Sequence, residues 1–358
     1  MKNEVKLMEL NIANHKIFKK DFTISFMDEN KEPLPIIILA GINGTGKTTI
    51  LDIIYKRMKM MDSKSEGSLF LKMSTQENIV GIDKDFKFKM TKEYGEYITN
   101  DIIDSFTNNI FYIPVDQTLE DIKRIMPSYI ENMIYREDAR ASEIHKRIRD
   151  NVSNIFKDLN LSIDFDSRDG KGNLFFRNKK EEKLLIDDLS TGEKTLISKI
   201  LYLYIKEIKD SVILIDEPEL SLHPAWQNRV LKLYEKFAKE NNCQIIIATH
   251  SPHIIGSAKN EWIRVLTTNE KNEIKVVDKN LYAHGRDINS ILFDVMGEAR
   301  YRPLKEFDEK IDYLYHYIDN QEFDKAKEKL EELEKDYGKN DRVILEAKMT
   351  IDMLSNQD

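Results

Sequence analysis

Two apolar patterns alternate along this chain. Short unbroken runs, Ile36 to Ala40, Ile110 to Ile113, Val212 to Ile215 and Gln244 to Ala248, are too short for helices and are cut off by Gly41, Pro114, Asp216 and Thr249. Such runs predict strands buried on both faces, and Trp262 to Leu266 predicts another. Elsewhere the apolar residues fall at helical spacing. Ile50, Leu51, Ile54 and Met58 predict a helix over Lys47 to Met60, and further helices are expected over Thr195 to Ile208, Leu304 to Asp319, Phe323 to Tyr337 and Arg342 to Leu354. Asn320 and Gly338-Lys339-Asn340 break the last three apart. Near the N-terminus, Val5 to Ile12 and Phe22 to Phe26 read as strands around a polar turn. Residues 62–109 read as short strands followed by an amphipathic helix near Tyr94 to Phe106, and Asp164 to Arg177 reads as a hairpin turning at Asp169-Gly170. Residues 118–158 are charged and helical, most clearly from Asp138 to Leu159. From Leu189 onward helices and buried strands take turns, which predicts the α/β class with a parallel sheet covered on both faces.

Composition narrows the setting. At about 150 residues per domain, 358 residues make roughly two domains, or one with an insertion. With 41% hydrophobic and 33% charged residues the chain has a real core and is too charged for a membrane protein. No apolar run approaches the ~20 residues that span a bilayer, and Glu4 and Glu9 interrupt the N-terminal apolar residues, so no secretory segment is visible. A net charge of −8 argues against a uniformly basic nucleic-acid binder. The single cysteine, Cys243, excludes a disulfide framework and a thiolate cage. The expectation is a soluble, cytoplasmic protein.

Four segments carry chemistry. Gly41-Ile42-Asn43-Gly44-Thr45-Gly46-Lys47-Thr48, with Thr49 behind it, matches the phosphate loop between a buried strand and a helix. Its glycines let backbone N–H groups close around phosphate oxygens at a positive helix end. Lys47 would then neutralise the β- and γ-phosphates, and Thr48 would coordinate Mg²⁺. Val212 to Glu217 ends a buried strand in two adjacent carboxylates, assigned as Asp216 to Mg²⁺ and Glu217 to the attacking water. Ser190, Thr191 and Gly192 lie in a polar turn where Ser190 and Glu193 can also form an ordinary capping box. His250 follows the strand Gln244 to Ala248 and is a candidate for sensing the γ-phosphate.

Taken in order, these segments resemble the ATP-binding-cassette (ABC) ATPase superfamily over residues 1–267, in its soluble branch of RecF-, SMC- and OLD-like proteins. Glu219-Leu220-Ser221-Leu222-His223-Pro224 and the Thr249-His250-Ser251-Pro252 ending set it apart from transporter subunits. The resemblance implies two protomers sandwiching two ATP molecules, with Ser190, Thr191 and Gly192 of one chain completing the other's site; Thr191 stands where a glycine is common. It implies Gln117 as a nucleotide and metal contact, for which a surface glutamine is the open alternative, and Ser221 in the dimer-contact loop. The division implied is an N-terminal ABC lobe over 1–117, a helical insertion over 118–158, a second lobe over 159–267 and a linker with C-terminal helices over 268–358. The insertion is too short for a long coiled coil. Its Lys123, Arg124, Arg136, Arg140, Lys146, Arg147 and Arg149 suit either a solvated face or a phosphate-contacting one. The C-terminal helices read as a helical cap or as a single tetratricopeptide-like unit. Tyr282 to Leu292 followed by a helical hairpin resembles PtuA-like ATPases of Septu and retron defence systems, which implies an effector partner of the HNH nuclease kind. A RecF-like DNA-binding repair factor and a non-hydrolytic ATP-bound scaffold stand as alternatives.

Overall fold

The computed structural model describes residues 4–13, 15–18, 21–59, 68–74, 79–82, 88–90, 107–115, 163–169, 174–269, 271–297 and 305–355, with scattered positions from 124 to 157. Two compact units divide the chain, Met1–Glu298 and Ala299–Asp358. The first carries, in order, β1 (Lys6–Ala13), β2 (Phe22–Ser25), β3 (Ile36–Ala40), α1 (Lys47–Met58), β4 (Ser68–Ser74), β5 (Ile79–Ile82), β6 (Phe88–Met90) and β7 (Ile110–Ile113). There follow β8 (Ile163–Arg168), β9 (Leu174–Asn178), β10 (Lys183–Leu185), α2 (Thr191–Ile205), β11 (Val212–Asp216), α3 (Pro224–Glu240), β12 (Gln244–Thr249), α4 (Pro252–Ser257), β13 (Ile263–Thr268) and β14 (Ile274–Val277).

The main sheet has the order β14-β13-β3-β12-β11-β7. Every pairing in it is parallel except β13 with β14. Every residue of β3, β11 and β12 is buried, as unbroken Ile- and Leu-rich runs require when both faces of a sheet are covered. A five-stranded antiparallel sheet, β2-β1-β4-β5-β6, and a three-stranded one, β10-β9-β8, complete the unit. The buried side chain of Gln244 fastens the first strands to the main sheet: its oxygen accepts from Leu7 N at 2.7 Å, and its amide donates to the carbonyls of Leu7 and Leu34 at 3.0 Å each.

Helix α2 begins four residues before its predicted start at Thr195. Ser190 caps it, accepting from Glu193 N, while the Glu193 carboxylate accepts from Ser190 N at 2.9 Å. With both backbone donors satisfied, the polar turn becomes the helix's first turn. The helix ends at Ile205, not Ile208, because Glu207 turns into left-handed backbone. The described positions between 124 and 157 are helical apart from Arg140, whereas Gln117 and the helix expected near Tyr94 to Phe106 lie outside the described residues.

The second unit packs α5 (Lys305–Asp319), α6 (Phe323–Tyr337) and α7 (Arg342–Ser355) around Phe307, Leu314, Leu333, Ile344 and Ala347. Among the described residues no helix is long and apolar enough to cross a membrane.

Candidate active site

Because β12 lies between β3 and β11, three segments far apart in sequence end side by side at the carboxyl edge of the sheet, where open α/β sheets bind ligands. Ala40 pairs with Thr249, and Ala248 pairs with Asp216. Glu217 N then donates to the Ala248 carbonyl at 2.9 Å, so the ladder runs one rung beyond the strand and fixes where the two carboxylates emerge.

After β3 the chain turns through Gly41, where a Cβ would stand 2.5 Å from the Leu266 carbonyl oxygen. At Gly46, the left-handed cap of α1, a Cβ would press on the Phe18 ring at 3.0 Å. Both positions demand glycine. Lys47 is buried and curls back over the loop, donating to the carbonyls of Gly41 at 2.8 Å and Ile42 at 3.1 Å. Burial pushes its pKa down, and the Glu217, Glu219 and Asp216 charges oppose that shift. Thr45 is buried and donates its hydroxyl to the Ile42 carbonyl at 2.9 Å; Asn43, Gly44 and Thr48 are exposed, and Thr49 is half-buried.

Across from the loop, Thr48 Oγ1 donates to Asp216 Oδ1 at 3.2 Å, and Tyr112 of β7 reaches Asp216 Oδ2 at 3.5 Å. Burial raises the Asp216 pKa. A hydroxyl beside a carboxylate offers hard oxygen donors of the kind Mg²⁺ takes, so these residues fit that ion.

Glu217 sits in left-handed backbone with φ 42°, and its Oε2 lies 2.5 Å from His250 Nδ1. Burial, reinforced by the adjacent Glu219, pushes its carboxyl pKa up to about 8, within reach of neutral-pH proton exchange. Glu219 is buried and holds the turn after β12: its Oε1 accepts from the Thr249 hydroxyl and from the backbone N–H of His250 and Ser251 at 3.1 Å each. The other oxygen, Oε2, is buried without a partner among the described residues. Donor atoms of Glu217, Glu219 and His250 all lie within 4.8 Å of one another.

Ser190 and Thr191 are exposed and Gly192 is half-buried, so the segment is open to a second molecule. Gly192 rests on the turn after β11, where a Cβ would stand 2.5 Å from the Ser221 carbonyl oxygen. The structure thus gathers Lys47, Thr48, Asp216, Glu217 and His250 in one place and leaves Ser190 and Thr191 facing outward. Sequence reasoning missed the roles of Tyr112, Glu219 and Thr249, and that of Lys199, whose Nζ donates to the carbonyls of Glu217 at 3.1 Å and Asp216 at 3.4 Å. Lys199 leaves a visible trace, since it is the one charge in the apolar stretch Leu196 to Leu201.

The chain matches the AAA ATPase domain family over residues 96–255. It is 22% identical, over 297 residues, to the probable ABC transporter ATP-binding protein p29 of Mesomycoplasma hyorhinis, covering 82% of this chain and 98% of that one. To the Septu protein PtuA of Bacillus thuringiensis it is 24% identical over 339 residues, covering 77% of this chain and 83% of the relative. In fold it is similar to the SMC head domain from Thermotoga maritima, with a TM-score of 0.51 at 17% identity, over 77% of this chain and 100% of that domain. These likenesses support an ABC-like ATPase of the RecF, SMC and OLD branch, with PtuA-like proteins among the relatives.

Proposed function

We propose that this chain hydrolyses ATP as a nucleotide-closed homodimer, and that closure controls a partner effector, a nuclease in a bacterial anti-phage system. The meeting of Lys47, Thr48, Asp216, Glu217 and His250 at three adjacent strand ends carries the hydrolase reading. Lys47 leaves the loop carbonyls for the β- and γ-phosphates, and Asn43 to Thr49 supply backbone and hydroxyl donors around them. Thr48 and Asp216, with Gln117 as the third candidate, would hold Mg²⁺, which when bound draws charge from the phosphoryl oxygens. In its ionised form Glu217 takes the proton of the water whose oxygen attacks the γ-phosphorus as the bond to ADP breaks, and His250 orients that carboxylate. Ser190, Thr191 and Gly192 of the second copy complete the site, an arrangement supported by their exposure. The four-part division at 117, 158 and 267 and the cytoplasmic location belong to the same reading. Likeness to the Septu protein PtuA supports the effector half.

Phosphate release and light scattering test it with Lys47→Ala and Glu217→Gln. Lys47→Ala should abolish ATP binding and closure. Glu217→Gln should keep the ATP-bound dimer while turnover falls about 10²-fold or more. Indifference of nucleotide binding and oligomeric state to both changes overturns the proposal. Effector control predicts that a nuclease encoded beside this chain responds oppositely to the two variants, whereas DNA binding that weakens steeply with salt would favour the RecF-like alternative.

A further inference from the structure

In the closed dimer just proposed, Ser190 to Gly192, the signature segment of a subunit, touches one nucleotide while the same subunit's carboxylates act on the other. A link inside the subunit has to join them. Helix α2 starts at the signature segment, and nine residues on, about 14 Å along its axis, it presents Lys199 to the end of β11. Lys199 is 1% exposed, and its Nζ donates to the backbone carbonyls of Glu217 at 3.1 Å and Asp216 at 3.4 Å. Burying an ammonium is costly, and an apolar side chain among Leu196, Ile200 and Leu203 would avoid that cost, so the position calls for a reason. The carbonyl it holds belongs to Glu217, the left-handed residue whose conformation decides where the carboxylate points. That carbonyl has one backbone donor of its own, Leu220 N at 3.3 Å. A second grip comes from the first turn of α2, where Gly192 lies against the Ser221 carbonyl. The helix therefore holds the turn from Glu217 to Ser221 at both ends.

We propose that Lys199 is a positioning residue that ties the signature helix to the carbonyls of Asp216 and Glu217, so that engagement of Ser190 to Gly192 by a second copy's nucleotide is felt at the hydrolysis carboxylate. It acts through backbone and touches no reacting atom. The proposal rests on the hydrolase reading above.

Lys199→Met keeps the stem and removes the donors and the charge, whereas Lys199→Arg restores both. In Lys199→Met, ATP affinity should stay within about twofold and the ATP-linked dimer should form, because the loop and the signature surface are untouched. Turnover should fall at least about tenfold and stop rising with protein concentration, since small misplacements of a reacting group carry large rate losses. Amide exchange in the peptide spanning residues 214–222 should quicken in the nucleotide-free protein, and Lys199→Arg should recover turnover to within about threefold. Wild-type turnover in Lys199→Met, loss of ATP affinity in proportion to turnover, or unchanged exchange in that peptide overturns the proposal. Should Lys199→Met not fold, Lys199→Gln, which keeps a donor without the charge, carries the comparison, and wild-type turnover there is equally fatal. Failure of the hydrolase reading shows separately, as phosphate release untouched by Lys47→Ala, and the exchange measurement then still decides whether Lys199 holds the turn.

Discussion

Glu217→Gln removes an ionisable group from a place that resists its charge, and the consequence is a stability difference that depends on pH. Burial holds the Glu217 carboxyl at about 8 in the folded chain against 4.5 ordinarily. Between those values the native state keeps a proton that the unfolded chain has released. The native state binds more protons, so this group's contribution to stability falls as pH rises from about 4.5 through 8. At about 1.4 kcal/mol for each pH unit, the full span would cost the ionised native state about 5 kcal/mol above pH 8. The carboxylate is 14% exposed and in hydrogen-bond contact with His250, so a working figure is about 2–4 kcal/mol. Glutamine cannot ionise and lacks this slope. At about 2 °C per kcal/mol for a unit of this size, the Tm advantage of Glu217→Gln over the wild type should widen by about 4–8 °C between pH 5 and pH 8.5. Scanning calorimetry across that range, with EDTA and without nucleotide, reads it directly. Any constant offset from the new amide beside His250 cancels, because only the change with pH counts. Parallel Tm curves for the two proteins would refute the reasoning, since they would mean that Glu217 ionises in the fold as it does in water.

Three further changes test other contacts. Thr249→Val keeps the shape of the side chain but takes a hydroxyl donor from buried Glu219, so calorimetry should show a loss of about 1–3 kcal/mol, with a fall in phosphate release as the His250 turn loosens; an unchanged Tm would mean the hydroxyl bond contributes nothing. Gly192→Val drives a side chain against the Ser221 carbonyl and should cost about 1–3 kcal/mol while abolishing the ATP-linked dimer in light scattering with ATP affinity intact; a dimer of normal stability would sink the assigned surface. Leu333→Ala opens a cavity in the core of the C-terminal helices and should cost that unit about 2–5 kcal/mol, read by circular dichroism as an early partial loss of helix, while ATP still protects the remaining transition; a single shifted transition would contradict separate cores.

The elements that the sequence makes legible are those whose burial leaves no freedom of pattern. β3, β11 and β12 are covered on both faces, so their middles are unbroken apolar runs with polar residues only at the ends, and each is readable to within a residue. β14 is not. It is an edge strand of four residues with two exposed side chains, paired antiparallel with β13, too short for its alternation to stand out. The start of α2 is hidden from the residue pattern for a different reason. Its first turn is built from Thr191, Gly192 and Glu193, polar residues typical of loops, and the capping box that makes them helical is a matter of two hydrogen bonds, which residue pattern alone allows without requiring.

The site was legible in its chemistry and illegible in its wiring. Motifs state which groups end which strands: Lys47 after one, Asp216 and Glu217 after another, His250 after a third. They do not state that β12 inserts between β3 and β11, and that order is what brings His250 Nδ1 to 2.5 Å from Glu217. Nor do they reveal that Glu219, two residues beyond the assigned pair, spends one oxygen on three donors of the neighbouring strand's turn. Lys199 carries a physical sign that precedes any motif. A charge buried in an apolar run is unfavourable in isolation, so its presence predicts acceptors waiting at the far end of the side chain. For Lys199 on a helix covered on nearly all sides, acceptors with room for another donor are the carbonyls where a strand has just ended, and the end of β11 is where its ammonium is found.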